Sequence, residues 1–486
     1  MDKKTLEFRN QTYEDNINNW NYYGLAYKGG TDFIVDSLGE QNSRESYENW
    51  KARVDEGINF NYCKSIVDLF NFYLTEKKTT RNLKTLEVDI QWQMFLKDAD
   101  LHGIDYDEWI NESEKLAAVY GTIGIFVDKP KTDMKNVAEE IANRVYPYCS
   151  AYILPHILDW KYEKDLVSGR PKLVYLKLKD NNGDYRIWTP TDWEVWTIKG
   201  IDGKEIDPKL IDNGTNLLNE IPFVWMTNIK NLTTPYLGES DLVDISRIVA
   251  SICRNLSSGE EIIKFAGFPM MRKPMRRDGD DTQEDLTGAQ AVQEFDPELP
   301  NSKPDWMETV IGEPVTAILN WVDRKVDEIF RIAHLSGVHG QRKSNNEVAS
   351  GLALRYEFQQ LTSVLSKKAE NMCEAEREII RYWLLWQKKG DLFKETEIKR
   401  TKNFSIDDLS VNLENLFKAM RATVSNVFKA EAQKHIVRLS LPDLADDLRK
   451  KVDAEIDANT GKEIEGNNDG DEKEDGVVDK NLSQDL

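Results

Sequence analysis

Ser240-Asp241-Leu242-Val243-Asp244-Ile245-Ser246-Arg247-Ile248-Val249-Ala250-Ser251-Ile252-Cys253-Arg254-Asn255-Leu256-Ser257 places Leu242, Ile245, Val249, Ile252 and Leu256 at alternating steps of three and four. That spacing predicts an amphipathic helix with a narrow apolar stripe, and Ser240 is suited to cap its start. So narrow a stripe asks for a second helix. One follows beyond an interruption: Pro314 opens a pattern with Val315, Ile318, Val322, Val326 and Ile329 on one face and Asn320, Asp323, Arg324, Asp327 and Arg331 on the other. A polar loop, Gly337 to Ala349, then leads into the longest helical pattern of the chain, Ser350 to about Lys389, with Gly390 placed to end it. At 1.5 Å per residue this helix would be roughly 60 Å long, more than an ordinary domain needs, and a helix of that size spans an assembly.

Outward from this core the class is α+β, mainly α. About 125 residues at the N-terminus read as helical, with amphipathic segments at Ser65 to Leu74 and Trp92 to Leu101. A helix around Glu112 to Ala118 runs into a β-branched strand, Tyr120 to Asp128. From Tyr148 to Asn228 the pattern is β-rich: Ala151 to Leu154, Leu173 to Leu178, Tyr185 to Thr189 and Trp193 to Ile198. Turns at Asn181-Asn182-Gly183-Asp184 and Gly200-Ile201-Asp202-Gly203 separate the strands, and Ile221 to Met226 is expected to close one antiparallel meander. Between the paired helices, Phe265 to Gly312 is irregular and rich in Gly, Pro and charge, too long for a plain loop. Phe404 to about Ile456 reads as helical with a break at Pro442. The last stretch, Gly461 to Leu486, carries nine Asp or Glu against three Lys, a composition that favours disorder.

The 486 residues suffice for several sub-domains, and 40% apolar with 31% charged residues is a globular composition. No apolar run approaches the roughly 18 residues of a membrane span, and no secretory signal can be read at the N-terminus. Cys63, Cys149, Cys253 and Cys373 stand far apart and read as small hydrophobes, neither disulfide framework nor zinc site. The nearest approach to a phosphate-binding loop, Gly57 to Ser65, lacks the second glycine and is one residue too long. His102, His156, His334, His339 and His435 have no metal-ligand spacing, and Asp278-Gly279-Asp280-Asp281 does not fit a calcium loop. Nucleophile elbows and dinucleotide fingerprints are missing as well. These readings nominate no catalytic residue, no metal and no cofactor. The net charge of −21 argues against a DNA-gripping basic surface, yet suits a channel in which an acidic wall repels phosphates from all sides and keeps a duplex centred.

The order of these elements resembles the phage portal family, tailed-bacteriophage head-to-tail connectors. Asn61 to Asp68, Ala117-Ala118-Val119-Tyr120-Gly121-Thr122-Ile123-Gly124, Ile221-Pro222-Phe223-Val224-Trp225 and Ala349-Ser350-Gly351-Leu352-Ala353-Leu354 look like recurrent portal segments, in order, over about residues 50 to 400. The resemblance implies a wing from 1–237 together with the long helix at 350–390. It also implies stem helices at 238–264 and 313–336 flanking a clip at 265–312, a tunnel loop at 337–349, a crown at 391–460 and an acidic tail at 461–486. It implies a non-enzymatic, ring-forming subunit, a dodecamer, at the capsid portal vertex of the virion, made in the host cytoplasm. Through the ring double-stranded DNA would be packaged and ejected, bound without sequence preference. Its partners would be the terminase large subunit, head-tail adaptors, and the major capsid and scaffolding proteins, with no membrane. The tunnel loop would carry Arg342, Lys343, Ser344, Asn345 and Asn346 toward phosphates. An ordinary surface turn is the other reading of that loop. Arg272, Lys273, Arg276 and Arg277 in the clip could dock the motor or adaptors, touch DNA at the exit, pair with Asp278, Asp280 and Asp281 of a neighbour, or form a solvated face. Trp188, Trp193, Trp196, Trp383 and Trp386 read as core or interface packing. The competing readings are another structural virion component such as an adaptor, a metal-dependent nuclease needing clustered carboxylates, and a plain scaffold.

Overall fold

The computed structural model describes residues 1–41, 43, 45–76, 78–132, 134, 136–200, 205–234, 236–267, 271–272, 305–306, 312–335, 351–402, 404, 418–420, 425–441, 444 and 446–459. It divides into two compact units, Met1–Ser405 and Ile406–Leu486. The first begins with helices α1 (Lys3–Glu7), α2 (Gln11–Lys28), α3 (Gly30–Leu38), α4 (Tyr47–Asp55) and α5 (Tyr62–Thr75). Strand β1 (Thr80–Asn82) precedes α6 (Ile90–Lys97) and α7 (Tyr106–Tyr120), which runs directly into β2 (Thr122–Asp128). Side-chain caps set these helix starts: Asn10, Asn61, Asp89 and Asp105 each accept a backbone N–H from the following turn.

After α8 (Val137–Ala142) come β3 (Tyr148–Ile153), β4 (Ile157–Lys164), β5 (Pro171–Lys179), β6 (Tyr185–Trp188), β7 (Asp192–Lys199), β8 (Glu205–Thr215) and β9 (Phe223–Thr227). They do not form one meander. A five-stranded antiparallel sheet runs β4-β5-β6-β7-β8, while β3 and β9 flank β2 in a separate three-stranded sheet. Gly124 on β2 lets the two sheets meet, because a Cβ there would lie 2.1 Å from the Phe223 ring of its own sheet and 2.9 Å from Ile157 Cδ1 of the five-stranded sheet. Gly183, at φ +94°, makes the β5–β6 turn expected of it.

The remaining elements of the first unit are α9 (Ile245–Gly267), β10 (Met271–Arg272), β11 (Asp305–Trp306), α10 (Gly312–Ile332), α11 (Gly351–Trp386) and β12 (Glu397–Lys399). At about 54 Å, α11 is somewhat shorter than expected. Gly390 does not end it. Lys388 takes the left-handed conformation (φ +58°), its N–H donating to Leu385 O and that of Lys389 to Leu384 O, so a non-glycine residue makes the 6→1, 5→2 stop. The chain then pairs β12 antiparallel with β1, so 391–405 packs with the first unit. The second unit contains α12 (Asn426–Ser440) and α13 (Asp446–Ala458), joined across 441–445 where the Pro442 break was expected. They are tied by Lys434 to Asp457 (2.6 Å) and Arg438 to Asp453 (3.4 Å).

Three cores hold the first unit. One joins α2, α3, α5 and α7 to α9, α10 and the middle of α11. A second sets α6, α7 and the three-stranded sheet against the end of α11, where Trp383 is fully buried beside Trp92 and donates its N–H to Pro147 O at 3.1 Å. The third lies between the five-stranded sheet and α1–α2, and contains Trp188, with Trp193 and Trp196 packed on it. The tryptophans are packing residues, as expected. Cys63, Cys149 and Cys253 are buried, Cys373 is half-buried, and all four are free thiols; burial pushes Cys63 up to about 12.

Candidate functional site

Helices α9 and α10 form an antiparallel pair: Lys325 Nζ donates to Ser251 Oγ at 2.7 Å, while further along Ile318 lies beside Gly259. Leu242, Ile245, Val249 and Ile252 from the first stripe and Val322, Val326 and Ile329 from the second are buried, as the periodicity predicts; Leu256, Val315 and Ile318 are half-buried. The face of α10 that carries Asn320, Asp323, Arg324, Asp327 and Arg331 is exposed. It also exposes Leu319 and Trp321, each 53% accessible, and α9 exposes Ile263. At the far end of the pair, β10 and β11 close into a two-stranded ladder with Met271 opposite Trp306 and Arg272 opposite Asp305. The ends of the 265–312 insertion thus leave and return at one place.

At the near end α9 is seated on the α7–β2 junction. Gly121, at φ +84°, lies so close to Gly238 that a Cβ would stand 2.4 Å from its carbonyl oxygen. The Ser240 hydroxyl donates to Val119 O (2.5 Å) and accepts the Leu242 N–H (3.0 Å), so Ser240 caps the turn leading into α9 and the helix itself starts at Ile245. The Asp241 N–H donates to Ala118 O at 3.0 Å. The Asp241 carboxylate pairs with the buried Lys368 of α11, accepts from Asn228 Nδ2 at 2.9 Å, and Lys368 lies 4.6 Å from the centre of the Phe70 ring. Asn371 on α11 donates to Asn228 O at 2.9 Å. Sheet, long helix and the start of α9 therefore converge on one buried ion pair, an arrangement whose strength depends on both partners being present.

A second buried cluster fastens the chain where it leaves α11. Arg400, just beyond β12, pairs with Glu114 of α7 and reaches Glu376 of α11 at 3.3 Å; Arg81 on β1 pairs with Glu376 and with Asp107 (2.5 Å). Burial pushes the Glu114 carboxyl up to about 7 against the pull of Arg400. Arg400 is raised too: burial opposes its charge, but Glu114 and Glu376 outweigh burial and hold it above the ordinary guanidinium range.

Of the residues singled out from sequence, Arg272 is on β10; Lys273, Arg276, Arg277 and the loop residues Arg342, Lys343, Ser344, Asn345 and Asn346 lie outside the described residues. The segments 117–124 and 221–225 are adjacent strands and their lead-in, with Gly124 opposite Trp225, and Asn61 caps α5 while donating to Tyr27 O at 3.0 Å. Among the described residues, no group of three or more His, Cys, Asp or Glu is arranged to hold a metal ion, and no helix is long and apolar enough to cross a membrane.

Over residues 2–457 the chain matches the family described as phage portal protein, SPP1 Gp6-like. It belongs to the phage portal protein family. Membership assigns it to the head-tail connector class of virion component, a structural class, and the mixed, mainly helical fold of the portal agrees with it. Solved structures similar to this portal include a chain of the neck of a native GTA particle computed with C12 symmetry. It shares 11% identity, with 80% of this chain and 89% of that chain covered and a TM-score of 0.41. A chain of the neck of an empty GTA particle computed with C6 symmetry shares 11% identity over 88% of this chain and 99% of that chain, with a TM-score of 0.43. No curated protein is significantly similar in sequence.

Proposed function

We propose that copies of this chain close into a ring, a dodecamer, at one capsid vertex, through which double-stranded DNA enters during packaging and leaves at ejection. The observation that carries the reading is the antiparallel α9–α10 pair within a chain that matches the portal family nearly end to end. One face of the pair is buried in the chain's own core and the other shows Leu319 and Trp321 to solvent. Exposed aromatic and aliphatic side chains on an otherwise polar helix face are what a neighbouring subunit would cover.

In this arrangement α9 and α10 are the stem, and the insertion carried on β10–β11 is the clip that docks the terminase motor and then the adaptors through Arg272, Lys273, Arg276 and Arg277. The segment 337–349 between α10 and α11 is the tunnel loop, where Arg342 and Lys343 make weak, sequence-independent phosphate contacts. The wing comprises 1–237 with α11, and the second unit belongs to the crown. The subunit works without turnover: the channel positions DNA and the motor supplies the energy. Arg342→Ala combined with Lys343→Ala should leave assembly intact and reduce packaged DNA severalfold in a packaging assay. Packaging at wild-type yield would remove the loop assignment.

A further inference from the structure

The strongest feature left without a role is a basic cleft on the five-stranded sheet, beside the α1–α2 link. A cavity of about 450 Å³ adjoins one of about 480 Å³, and Arg9, Leu158, Lys179 and Lys199 line both. Arg9 comes from the α1–α2 link, Lys179 from the end of β5 and Lys199 from the end of β7. Three elements thus aim cations into one recess of a chain whose net charge is −21.

These cations are weakly engaged. Among the described residues no carboxylate comes within ion-pair range of Lys179 or Lys199, and Lys199 has only Asn182 O at 3.3 Å. Arg9 meets Glu14 at 3.7 Å, with both side chains roughly half exposed. The acids nearby are occupied: Asp180 accepts from Tyr152 OH (2.8 Å) and Arg186 Nε (2.6 Å), and Glu7 faces Lys3 at 3.9 Å. His156 also lines the recess; burial, then Lys179, hold its imidazole below the ordinary range, so at neutral pH it offers an uncharged ring N–H. Tyr13, Ile17 and Leu158 supply an apolar wall.

We propose that this cleft is a docking site for an acidic peptide segment of another protein, with side-chain carboxylates seated between Arg9, Lys179 and Lys199 and apolar residues against Tyr13, Ile17 and Leu158. Partly enclosed cations strengthen charge-assisted hydrogen bonds to carboxylate, and the apolar wall favours a peptide over a bare polyanion.

The test is fluorescence anisotropy on the full, assembled chain with a short labelled peptide of Glu, Gly and Leu, its Gln counterpart, and a short DNA duplex as competitor. The Glu peptide should bind and the Gln peptide should not; Lys179→Gln with Lys199→Gln should weaken binding about tenfold or more, and Lys179→Arg with Lys199→Arg should retain it. Glu-peptide binding equal in wild type and the Gln double variant, or no binding at all, overturns the proposal. Displacement by the duplex at matched charge overturns it in favour of nucleic acid.

Discussion

The α/β body of the portal and its α9–α10 pair bury their apolar residues in different ways. In the body, the end of α11 is covered within the chain: Trp92, Phe95, Tyr106 and Trp383 are all buried and pack on one another. The helix pair is finished on one side only, and Leu319, Trp321 and Ile263 remain exposed on the other. A region complete in itself sets the stability of a subunit; a half-covered region sets how subunits meet. The buried Asp241–Lys368 pair joins the two, fixing where α9 starts relative to α11.

The comparison can be broken most forcefully at that joint. Lys368→Met strands the buried Asp241 carboxylate and should cost about 3–5 kcal/mol in denaturant unfolding, whereas adding Asp241→Asn should recover most of the loss, since an uncharged pair has no ion to desolvate. At the outer face the effect should move from stability to association. Leu319→Ala with Trp321→Ala should change unfolding of the subunit by about 0.5 kcal/mol or less, yet weaken assembly by about 2 kcal/mol or more per contact, read as a shift from ring to monomer in sedimentation. The Arg400 cluster should add a pH dependence of stability. The Glu114 carboxyl sits at about 7 in the folded chain against 4.5 ordinarily. Its contribution is therefore fully present below about 4.5 and lost as pH rises through about 7. Glu114→Gln should flatten the stability profile across that window, measured by melting temperature between the two limits.

Much of this division was legible in the residues. The steps of three and four in α9 and α10 named their buried faces, and the turn residues marked the hairpins, because both signals are local. Sheet membership was not local: β3 precedes and β9 follows the meander strands in sequence, but their partner β2 lies upstream of both. Strand β8 was missed because Asp207, Pro208, Asp212, Asn213 and Gly214 are poor strand formers, tolerated at a sheet edge where no second ladder is needed. Strand β4 is not among the strands expected from sequence; Leu154–His156 forms a single tight turn between it and β3. The buried charges were missed because a Lys or Glu on a helix reads as outward-facing. A cue was present: Lys368 and Glu376 continue the stripe of Leu361, Leu365, Met372, Ile379 and Trp383, and a charge on an apolar stripe needs a buried partner.

The central claim is that the exposed face of α9–α10 closes a ring around a channel. Negative-stain electron microscopy of the purified chain, with mass determination on the same sample, tests it most directly. The account predicts rings with a central hole wide enough for a duplex and a mass that is an integral multiple of the 56.1 kDa chain. A compact monomer, unchanged at high concentration and across salt conditions, would contradict it.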